Sequence, residues 1–328
     1  AEAIYRKHVR GHARQARLVG FSVLSADQAV AALFFCRRLR EEFPEIKTCL
    51  GGPWVSASWN AVAGWPELFS VIDFMIAFSG ELPLDRLLRH LRGELPVSEV
   101  PNLVRLQGGK VLSNPLRPGV PLEDLPPPVF DGFDLSRYVR RSLPYQTTQG
   151  CEWSRCAFCF HVFPNRAFLS KSPEKIQREM ASLSRATRIR EFDLANLATP
   201  IQVLESMLPH WRRMRMRWRA LVRVHPGFTP AFARKLNAAG CTFLSFGLET
   251  ADTDGLKRLR KGIALEMVDA NLRACAEAGL NVGIFTLNYP GQTEAEFVRT
   301  LEFCVERRRL LADLGVNRFK MGRWMESA

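Results

Sequence analysis

The stretch Gly150-Cys-Glu-Trp-Ser-Arg-Cys-Ala-Phe-Cys159 places three cysteines within nine residues, at positions 151, 156 and 159. No fourth cysteine follows within reach, whereas a structural zinc site takes four protein ligands. Cysteine thiolates at spacings of this kind hold iron–sulfur clusters. Three thiolates on a four-iron cluster leave one iron open to a small molecule. Cys151, Cys156 and Cys159 are therefore predicted to hold a catalytic 4Fe-4S cluster.

Two other uses of these cysteines remain open. One is a zinc ion bound by the three cysteines and His161, although His161 lies only two residues beyond Cys159. The other is a disulfide framework, which is disfavoured because eight cysteines are sparse for 328 residues. The remaining five cysteines lie in apolar segments and are expected in the core: Cys36, Cys49, Cys241, Cys275 and Cys304.

Length and composition indicate a globular protein of two domains. The chain is 47% hydrophobic and 24% charged, and no apolar run approaches the roughly 18 residues that span a bilayer. It also has no secretory signal, so a cytoplasmic location is expected. Because the chain opens with Ala1 rather than Met, we expect its first domain to be truncated at the N-terminus.

The formal net charge of +13 raises the question of a polyanionic partner such as RNA. The basic residues are expected to be spread along helices, as in the group Arg212, Arg213, Arg215, Arg217 and Arg219. That distribution favours a solvated face. A zinc or iron–sulfur protein that binds nucleic acid is kept as the non-enzymatic alternative.

The first part of the sequence alternates short β-rich runs with helical patterns. Strands are predicted at Leu18 to Leu24, Lys47 to Leu50 and Val71 to Phe78, with helices from Asp27 to Glu42 and Leu82 to Arg92. Such repetition predicts a parallel, doubly wound α/β sheet that receives ligands at the carboxyl ends of its strands. Ser22, Gly51, Gly52 and Gly80 fall at those ends. This domain is assigned to residues 1–99, and the Pro- and Gly-rich stretch 100–142 is predicted to be a linker.

The alternation resumes in residues 143–328, assigned to a second domain. Six strands are predicted, at Leu143 to Thr148, Ile189 to Leu194, Trp218 to Val224, Thr242 to Leu248, Asn281 to Leu287 and Val316 to Lys320. Helix starts are predicted at Ser172-Pro173-Glu174, Thr229-Pro230 and Thr293-Glu294. Strands that are each followed by a helix predict a partial, six-stranded β/α barrel of the TIM type, with its active site at the carboxyl ends of the strands. Cys151 follows the first of these strands.

The second domain resembles the radical S-adenosylmethionine (SAM) enzymes. Their usual cysteine spacing is three residues and then two, whereas this chain has four and then two, with the aromatic Phe158 before the last cysteine. Further segments that resemble the family are Phe246 to Thr250, Leu256 to Gly262, Tyr289 to Glu294 and Ala238 to Cys241. Together these similarities run from Leu143 to about Lys320.

This resemblance implies that SAM binds the open iron of the cluster and is cleaved reductively there. Phe158 is then expected beside the adenine, with ordinary loop packing as the alternative. Asp193 and Asn196 are candidates for the methionyl amino group, or else a neutral helix cap. Glu249 is expected at the ribose or the methionyl end, the alternative being a buried salt bridge with Arg223. Asn288 is a further SAM candidate, or a turn residue.

The first domain resembles the Rossmann-like cobalamin-binding domain that is often fused to this barrel. Ser22-Val23-Leu24, Gly51-Gly52 and Gly80-Glu81 match its pattern, whereas the element Asp-x-His-x-x-Gly is absent. Either a missing N-terminus carried that element, or cobalt is bound without a histidine. Ser22, Leu24, Gly51, Gly52, Gly80 and Glu81 are accordingly expected to bind cobalamin.

The two resemblances together imply a cobalamin-dependent radical SAM enzyme. Methyl transfer to an unactivated carbon is the favoured reaction, and rearrangement, cyclisation or a degenerate cobalamin domain are the alternatives. The expected partners are an electron donor such as flavodoxin or ferredoxin and a small-molecule or peptide substrate.

Overall fold

The computed structural model of the chain describes residues 1–62, 64–159 and 168–319. The chain divides into two units between Val120 and Pro121. Both are mixed α/β structures built on parallel strands. His161, the fourth ligand of the zinc alternative, lies outside the described residues.

The first unit contains a five-stranded sheet in the order β1-β2-β3-β4-β5. Strands β1 to β3 are parallel, and β4 and β5 are antiparallel. In chain order the elements are α1 (Glu2–Ile4), a π-helical turn (Tyr5–Val9), α2 (Arg10–Ala13), β1 (Leu18–Ser22), α3 (Ala26–Glu42), β2 (Lys47–Gly51), α4 (Pro53–Val62), a 3-10 turn (Pro66–Ser70), β3 (Phe74–Ile76), α5 (Glu81–Leu91), a 3-10 turn (Val97–Glu99), β4 (Leu103–Gln107) and β5 (Lys110–Ser113).

Helices cover both faces of this sheet because successive strand residues point to opposite sides. Leu50 and Met75 share a buried cluster with residues of α3 and α4. Their neighbours Cys49 and Ile76 pack on the other face with Leu87 of α5. Because β1, β2 and β3 are parallel, their carboxyl ends lie at one edge of the sheet. This confirms the predicted parallel arrangement of these three strands.

The prediction of a linker over residues 100–142 needs correction. Within it, Leu103–Gln107 and Lys110–Ser113 form a β-hairpin that completes the first sheet. Gly108 and Gly109 both have positive φ, 58° and 74°, as a two-residue hairpin turn requires. The later part, from Pro121 onward, belongs to the second unit, where Lys175 donates a hydrogen bond of 2.8 Å to the carbonyl oxygen of Leu125. Glycine is common in irregular segments, but Gly108 and Gly109 here form the tight turn between the two strands of the hairpin.

The second unit contains a six-stranded parallel sheet in the order β13-β12-β11-β10-β9-β6, and β7 pairs separately with β8. Its elements in chain order are a 3-10 turn (Leu135–Arg137), β6 (Leu143–Tyr145), β7 (Thr148–Gln149), β8 (Leu169–Ser170), α6 (Pro173–Thr187), β9 (Glu191–Leu194), α7 (Ile201–Met214), β10 (Arg217–Val222), α8 (Pro230–Ala238), β11 (Cys241–Glu249), α9 (Thr253–Arg258), α10 (Leu265–Glu277), β12 (Asn281–Asn288), α11 (Glu294–Glu306), a 3-10 turn (Arg308–Leu310) and β13 (Asp313–Arg318).

Local sequence signals place the helix starts correctly in this unit. Ser172, Thr229 and Thr293 are N-cap residues, as predicted. Thr293 also forms a capping box with Glu296. All six predicted strands are present with shifted ends, the first being shorter because Thr148 leaves the main sheet to pair with β8.

The arginine-rich stretch is not a helical face throughout. Arg212 and Arg213 lie on α7, but Arg217 and Arg219 lie on strand β10. Trp218 between them is fully buried and packs on Trp211 of α7, with ring centroids 4.7 Å apart. Arg217 and Arg219 therefore point away from the helices, toward the opposite face of the sheet.

The five cysteines outside the cluster motif are buried thiols, which confirms their expected place in the core. Burial raises the pKa of Cys36 to about 12 and that of Cys304 to about 11. Among the described residues, no helix is both long and apolar enough to cross a membrane.

Replacing Gly240 with alanine is expected to lower the free energy of unfolding by about 3 kcal/mol. Gly240 lies between α8 and β11 with φ of 86°, and a Cβ built there overlaps the carbonyl oxygen of Met216. Urea denaturation monitored by circular dichroism measures the loss. Gly279→Ala is the control, because φ is 72° but the nearest atom to its Cβ is 3.5 Å away. Equal losses in the two variants would contradict a role for the clash.

Candidate active site

The three-cysteine loop begins just beyond the carboxyl end of β6, directly after β7. Cys151, Cys156 and Cys159 are all partly exposed, unlike the other cysteines. The backbone N–H of Cys159 donates to the carbonyl oxygen of Cys156 at 3.2 Å, which closes a tight turn between these two. The loop therefore presents its three thiols at the strand ends, where a parallel sheet binds its ligands.

The cations of Lys261 and Arg223 lie near the cysteine loop. Burial raises the pKa of Cys156 above its usual value, and these two cations offset part of that rise. Over residues 1–62, 64–159 and 168–319, no three His, Cys, Asp or Glu side chains are gathered closely enough to bind a single metal ion. Three soft sulfur ligands on one loop, faced by two cations, fit an iron–sulfur cluster, whose thiolates bind different irons.

A second loop, residues 259–262 after α9, holds the cysteine loop in place. The N–H of Ala157 donates to the carbonyl oxygen of Leu259 at 2.9 Å. The indole N–H of Trp153 donates to the carbonyl oxygen of Arg260, also at 2.9 Å. These bonds bring Lys261, the next residue of the second loop, close to the thiols.

Glu249, at the end of β11, lies in a strained and enclosed position. Its φ is 69°, which is rare for a residue with a side chain, and β11 shifts register against β12 between Gly247 and Glu249. The Glu249 carboxylate pairs with the ammonium group of Lys261 at 2.6 Å, and both side chains are about nine-tenths buried. A Cβ on Gly247 would lie 2.6 Å from atoms of both partners. A side chain at 247 would therefore displace the charged ends of the pair.

The salt-bridge alternative for Glu249 named the wrong partner. The guanidinium of Arg223 instead donates to the carbonyl oxygen of Lys261 at 2.9 Å and lies over the ring of Trp153, 4.5 Å from its centre. Arg223 therefore braces the second loop and the cysteine loop together. The predicted contact of Glu249 with SAM stays a prediction.

The structure packs Phe158 against Leu259, Leu287 and Tyr289. The Lys261 ammonium also lies 5.5 Å from the centre of its ring. These contacts hold Phe158, which lies between Cys156 and Cys159 in the sequence, beside the carboxyl end of β12. Its contact with adenine stays a prediction.

Asp193 and Asn196 are both bonded to protein groups. Burial acts against ionisation of Asp193, but hydrogen bonds from Arg219 and Ser142, each 2.7 Å long, lower its pKa below the usual value. The Asn196 side chain accepts from the N–H groups of Thr147 and Thr148 and donates to two threonine hydroxyls. Asn196 thus ties the segment that leads to Cys151 to the end of β9. A contact of either residue with SAM stays a prediction.

Asn288 is the last residue of β12 and is exposed at the carboxyl edge of the sheet. Its side-chain amide donates to Gln292 at 3.4 Å, within the turn that follows the strand. The position is compatible with both the predicted SAM contact and the turn role.

The predicted cobalamin residues lie at one edge of the first sheet. Ser22 pairs in register with Gly51. Gly52 has φ of 98°, and a Cβ there would lie 2.7 Å from the backbone nitrogen and oxygen of Val23. Gly80 is the N-cap of α5 and Glu81 its first residue, both following the adjacent strand β3. Leu24 extends into solvent with 64% of its surface exposed.

Sequence reasoning missed Ser56 and Phe78 at this edge. The Ser56 hydroxyl donates to the carbonyl oxygen of Gly52 at 3.0 Å and accepts from the N–H of Phe78 at 2.7 Å. Phe78 has φ of 66°, a strained conformation for an aromatic residue. Ser56 therefore links the ends of β2 and β3, and nothing in its local sequence signals that role.

Comparison with known proteins shows what the second unit resembles. Residues 145–304 match the radical SAM superfamily. An uncharacterized methyltransferase of Pyrococcus horikoshii, PH0819, is 25% identical over 268 residues, covering 77% of this chain and 56% of its own. The hopanoid C-3 methylase of Methylococcus capsulatus is 22% identical over 311 residues, covering 88% and 56%. The chain thus spans about half the length of these curated relatives.

Two solved structures resemble the chain across both units. The cobalamin-dependent SAM radical enzyme OxsB has 20% identity and a TM-score of 0.78, covering 95% of this chain and 46% of that one. The radical SAM methyltransferase TsrM from Kitasatospora setae has 20% identity and a TM-score of 0.74, covering 97% and 66%. At such identity the likeness establishes the fold alone. Residues 145–304 are thus similar to the radical SAM superfamily, and this similarity implies the use of a 4Fe-4S cluster and SAM.

Proposed function

We propose that this chain is the cobalamin and SAM part of a radical enzyme that methylates an unactivated carbon. The observation that carries the proposal is the three-thiol loop bound beside a buried Glu249–Lys261 pair at the strand ends of a radical SAM domain. The first unit supplies the second argument, with its glycine-lined edge at Ser22, Gly51 and Gly52. We further propose that the six-stranded unit is a partial β/α barrel and the first unit a Rossmann-like domain.

At the cluster, Cys151, Cys156 and Cys159 act as the thiolate ligands. When bound, the cluster supplies the electron that breaks a carbon–sulfur bond of SAM, and cobalamin supplies a carrier for the methyl group. The nearby cations of Lys261 and Arg223 offset negative charge at the thiolates. Phe158 and the residues it packs on exclude water from one side of the loop.

For SAM itself, we propose Glu249 and Asn288 as direct contacts, because both end strands at the edge that carries the cysteines. Asp193 and Asn196 already form hydrogen bonds with protein groups. We propose that they keep these bonds and also bind the methionyl amino group of SAM. Phe158 is proposed to flank the adenine. These roles are tested by the SAM concentration at half-maximal cleavage in single variants.

For cobalamin, Ser22 with Gly51 and Gly52 is proposed to receive the nucleotide tail, because glycine lets the backbone approach a ligand closely. Gly80 and Glu81, at the start of α5, are proposed to bind cobalamin at the same edge. The exposed side chain of Leu24 is proposed to give cobalamin an apolar contact. Methyl transfer is supported by the names of PH0819 and of the hopanoid C-3 methylase. The electron donor, flavodoxin or ferredoxin, and the small-molecule or peptide substrate are proposed with it.

Anaerobic reconstitution of the chain tests this function. We expect about four irons per chain, the broad visible absorption of a cluster, and formation of 5′-deoxyadenosine from SAM under reducing conditions. Hydroxocobalamin added before gel filtration should remain with the protein, and its corrin bands should be visible. Cleavage of SAM without retention of cobalamin would reject the cobalamin proposal. A protein that takes up zinc but no iron would reject both.

Replacing Gly52 with alanine is expected to weaken cobalamin binding by about tenfold or more. The added Cβ would meet the backbone of Val23 at 2.7 Å and would displace the edge beside Ser22. Equilibrium dialysis with hydroxocobalamin measures the affinity, and iron content should not change. Gly20→Ala is the matched control in the same sheet, because its Cβ would have 4.0 Å of room. Unchanged affinity in Gly52→Ala would place cobalamin elsewhere.

A further inference from the structure

Trp153 occupies the long first gap of the cysteine motif, between Cys151 and Cys156. Its indole N–H reaches across 107 positions of sequence to the carbonyl oxygen of Arg260. Ser154, the next residue, has φ of 43°, and its hydroxyl bonds the carbonyl oxygen of Cys151. The residues between Cys151 and Cys156 therefore include a hydrogen-bonded turn that directs Trp153 toward the second loop.

Gly262 is shaped to receive this ring. Its φ is 66°, and a Cβ built there overlaps the six-membered ring of Trp153. Any side chain at 262 would displace the indole ring. The Trp153 ring can pack on the backbone there only because residue 262 is glycine. Two guanidinium groups also lie over the ring, that of Arg223 at 4.5 Å and that of Arg155 at 5.3 Å from the ring centre.

The same contacts fix two cations beside the thiols. Arg223 holds the carbonyl oxygen of Lys261, and Lys261 is paired with Glu249 and packed over Phe158. Lys261 lies over the ring of Phe158 and Arg223 over the ring of Trp153, so both cations lie against the cysteine loop. Trp153 contacts Arg223 directly, and it contacts Arg260 and Gly262, the two neighbours of Lys261 in the chain. Its side chain therefore connects the cysteine loop to the segments that carry both cations.

We propose that Trp153 is a positioning residue that clasps the cysteine loop to residues 260–262 and thereby holds Lys261 and Arg223 against the cluster. The inference rests on the proposed cluster. Positive charge beside an iron–sulfur cluster stabilises its reduced form and raises the reduction potential. Loss of the clasp then has two effects, faster loss of iron and a more negative potential. The additional residue in the first cysteine gap gains a function, since it gives the indole the reach to contact Gly262.

The test compares Trp153→Ala, Trp153→Phe and Gly262→Ala with the parent chain after anaerobic reconstitution. Trp153→Ala should lose iron to a chelator about tenfold faster, and the reduction potential of the remaining cluster should be more negative. Gly262→Ala should show both changes although the tryptophan is retained. Trp153→Phe keeps a ring over Gly262 but lacks the N–H donor, so its values should lie between those of the parent and Trp153→Ala. Potentials are measured by redox titration followed by electron paramagnetic resonance.

Gly279→Ala is the control for Gly262→Ala, because it has a similar φ of 72° but its Cβ would make only an ordinary contact of 3.5 Å, and it should match the parent. Parental iron retention and potential in both Trp153→Ala and Gly262→Ala would overturn the clasp while leaving the proposed function intact. A parent chain that takes up no cluster would instead overturn the proposed function. If Trp153→Ala does not fold, as judged by circular dichroism, the other two variants decide.

Discussion

Replacing Cys151, Cys156 or Cys159 with serine is expected to abolish cluster binding and to reduce SAM cleavage more than about 100-fold. All three thiols lie on one partly exposed loop. Two remaining thiolates and a hard hydroxyl oxygen are a poor ligand set for iron–sulfur chemistry. Iron content after anaerobic reconstitution and the yield of 5′-deoxyadenosine measure the two losses. A single serine variant that keeps four irons and parental cleavage would contradict the assignment.

Cys304→Ala is the matched control for these variants. Cys304 is 2% exposed in the core, and burial raises its pKa to about 11, so it is an inert thiol. Its replacement is expected to cost about 1 kcal/mol of stability through the small cavity it leaves, with no change in iron content. Loss of iron in this variant as well would show that any cysteine change damages the protein, and the serine results would then not identify ligands.

Replacing Lys261 with methionine is expected to destabilise the protein by about 3 kcal/mol and to stop SAM cleavage. The change leaves the Glu249 carboxylate buried without its cation, and it removes a positive charge from beside Cys156. The double variant Glu249→Gln with Lys261→Met should recover much of the stability, because no unpaired charge remains, but not the cleavage. Urea denaturation and the yield of 5′-deoxyadenosine separate the two effects.

Lys257→Met provides the control within the same segment. Lys257 pairs with Asp254 at 3.0 Å, but the two side chains are 73% and 75% exposed. Such an exposed pair contributes under about 1 kcal/mol, so stability and cleavage should both stay near the parental values. If the double variant cleaved SAM as the parent does, the pair would be structural only, and Glu249 would have no role in binding SAM.

The elements predicted correctly are those whose signals are local. The helix starts at Ser172, Thr229 and Thr293 follow from hydroxyl side chains that cap N–H groups within three residues. The spacing of the three cysteines likewise needs only a short loop. Strand runs such as Asn281–Asn288 were recognisable because a buried parallel strand is apolar along its length.

The sequence patterns mislead where one residue type occurs in two kinds of structure. The Pro- and Gly-rich composition around Gly108 and Gly109 predicts a linker, yet these glycines close the hairpin between β4 and β5. The run of arginines that includes Arg217 and Arg219 predicts a helical face, although the buried Trp218 between them lies on a strand. In both cases the structure of the segment is decided by pairing with another strand. A local sequence pattern carries no information about that pairing.

The sequence by itself determined the order of strands and helices and placed Gly51 and Gly52 at a strand end, and it predicts the ligand set at Cys151, Cys156 and Cys159. Only the tertiary structure decided that Lys261, not Arg223, pairs with Glu249, and that Trp153 fits on Gly262. The physical reason is that those contacts join segments as far as 107 positions apart. Parallel strands with intervening helices bring such segments to one edge, and packing there selects the partners.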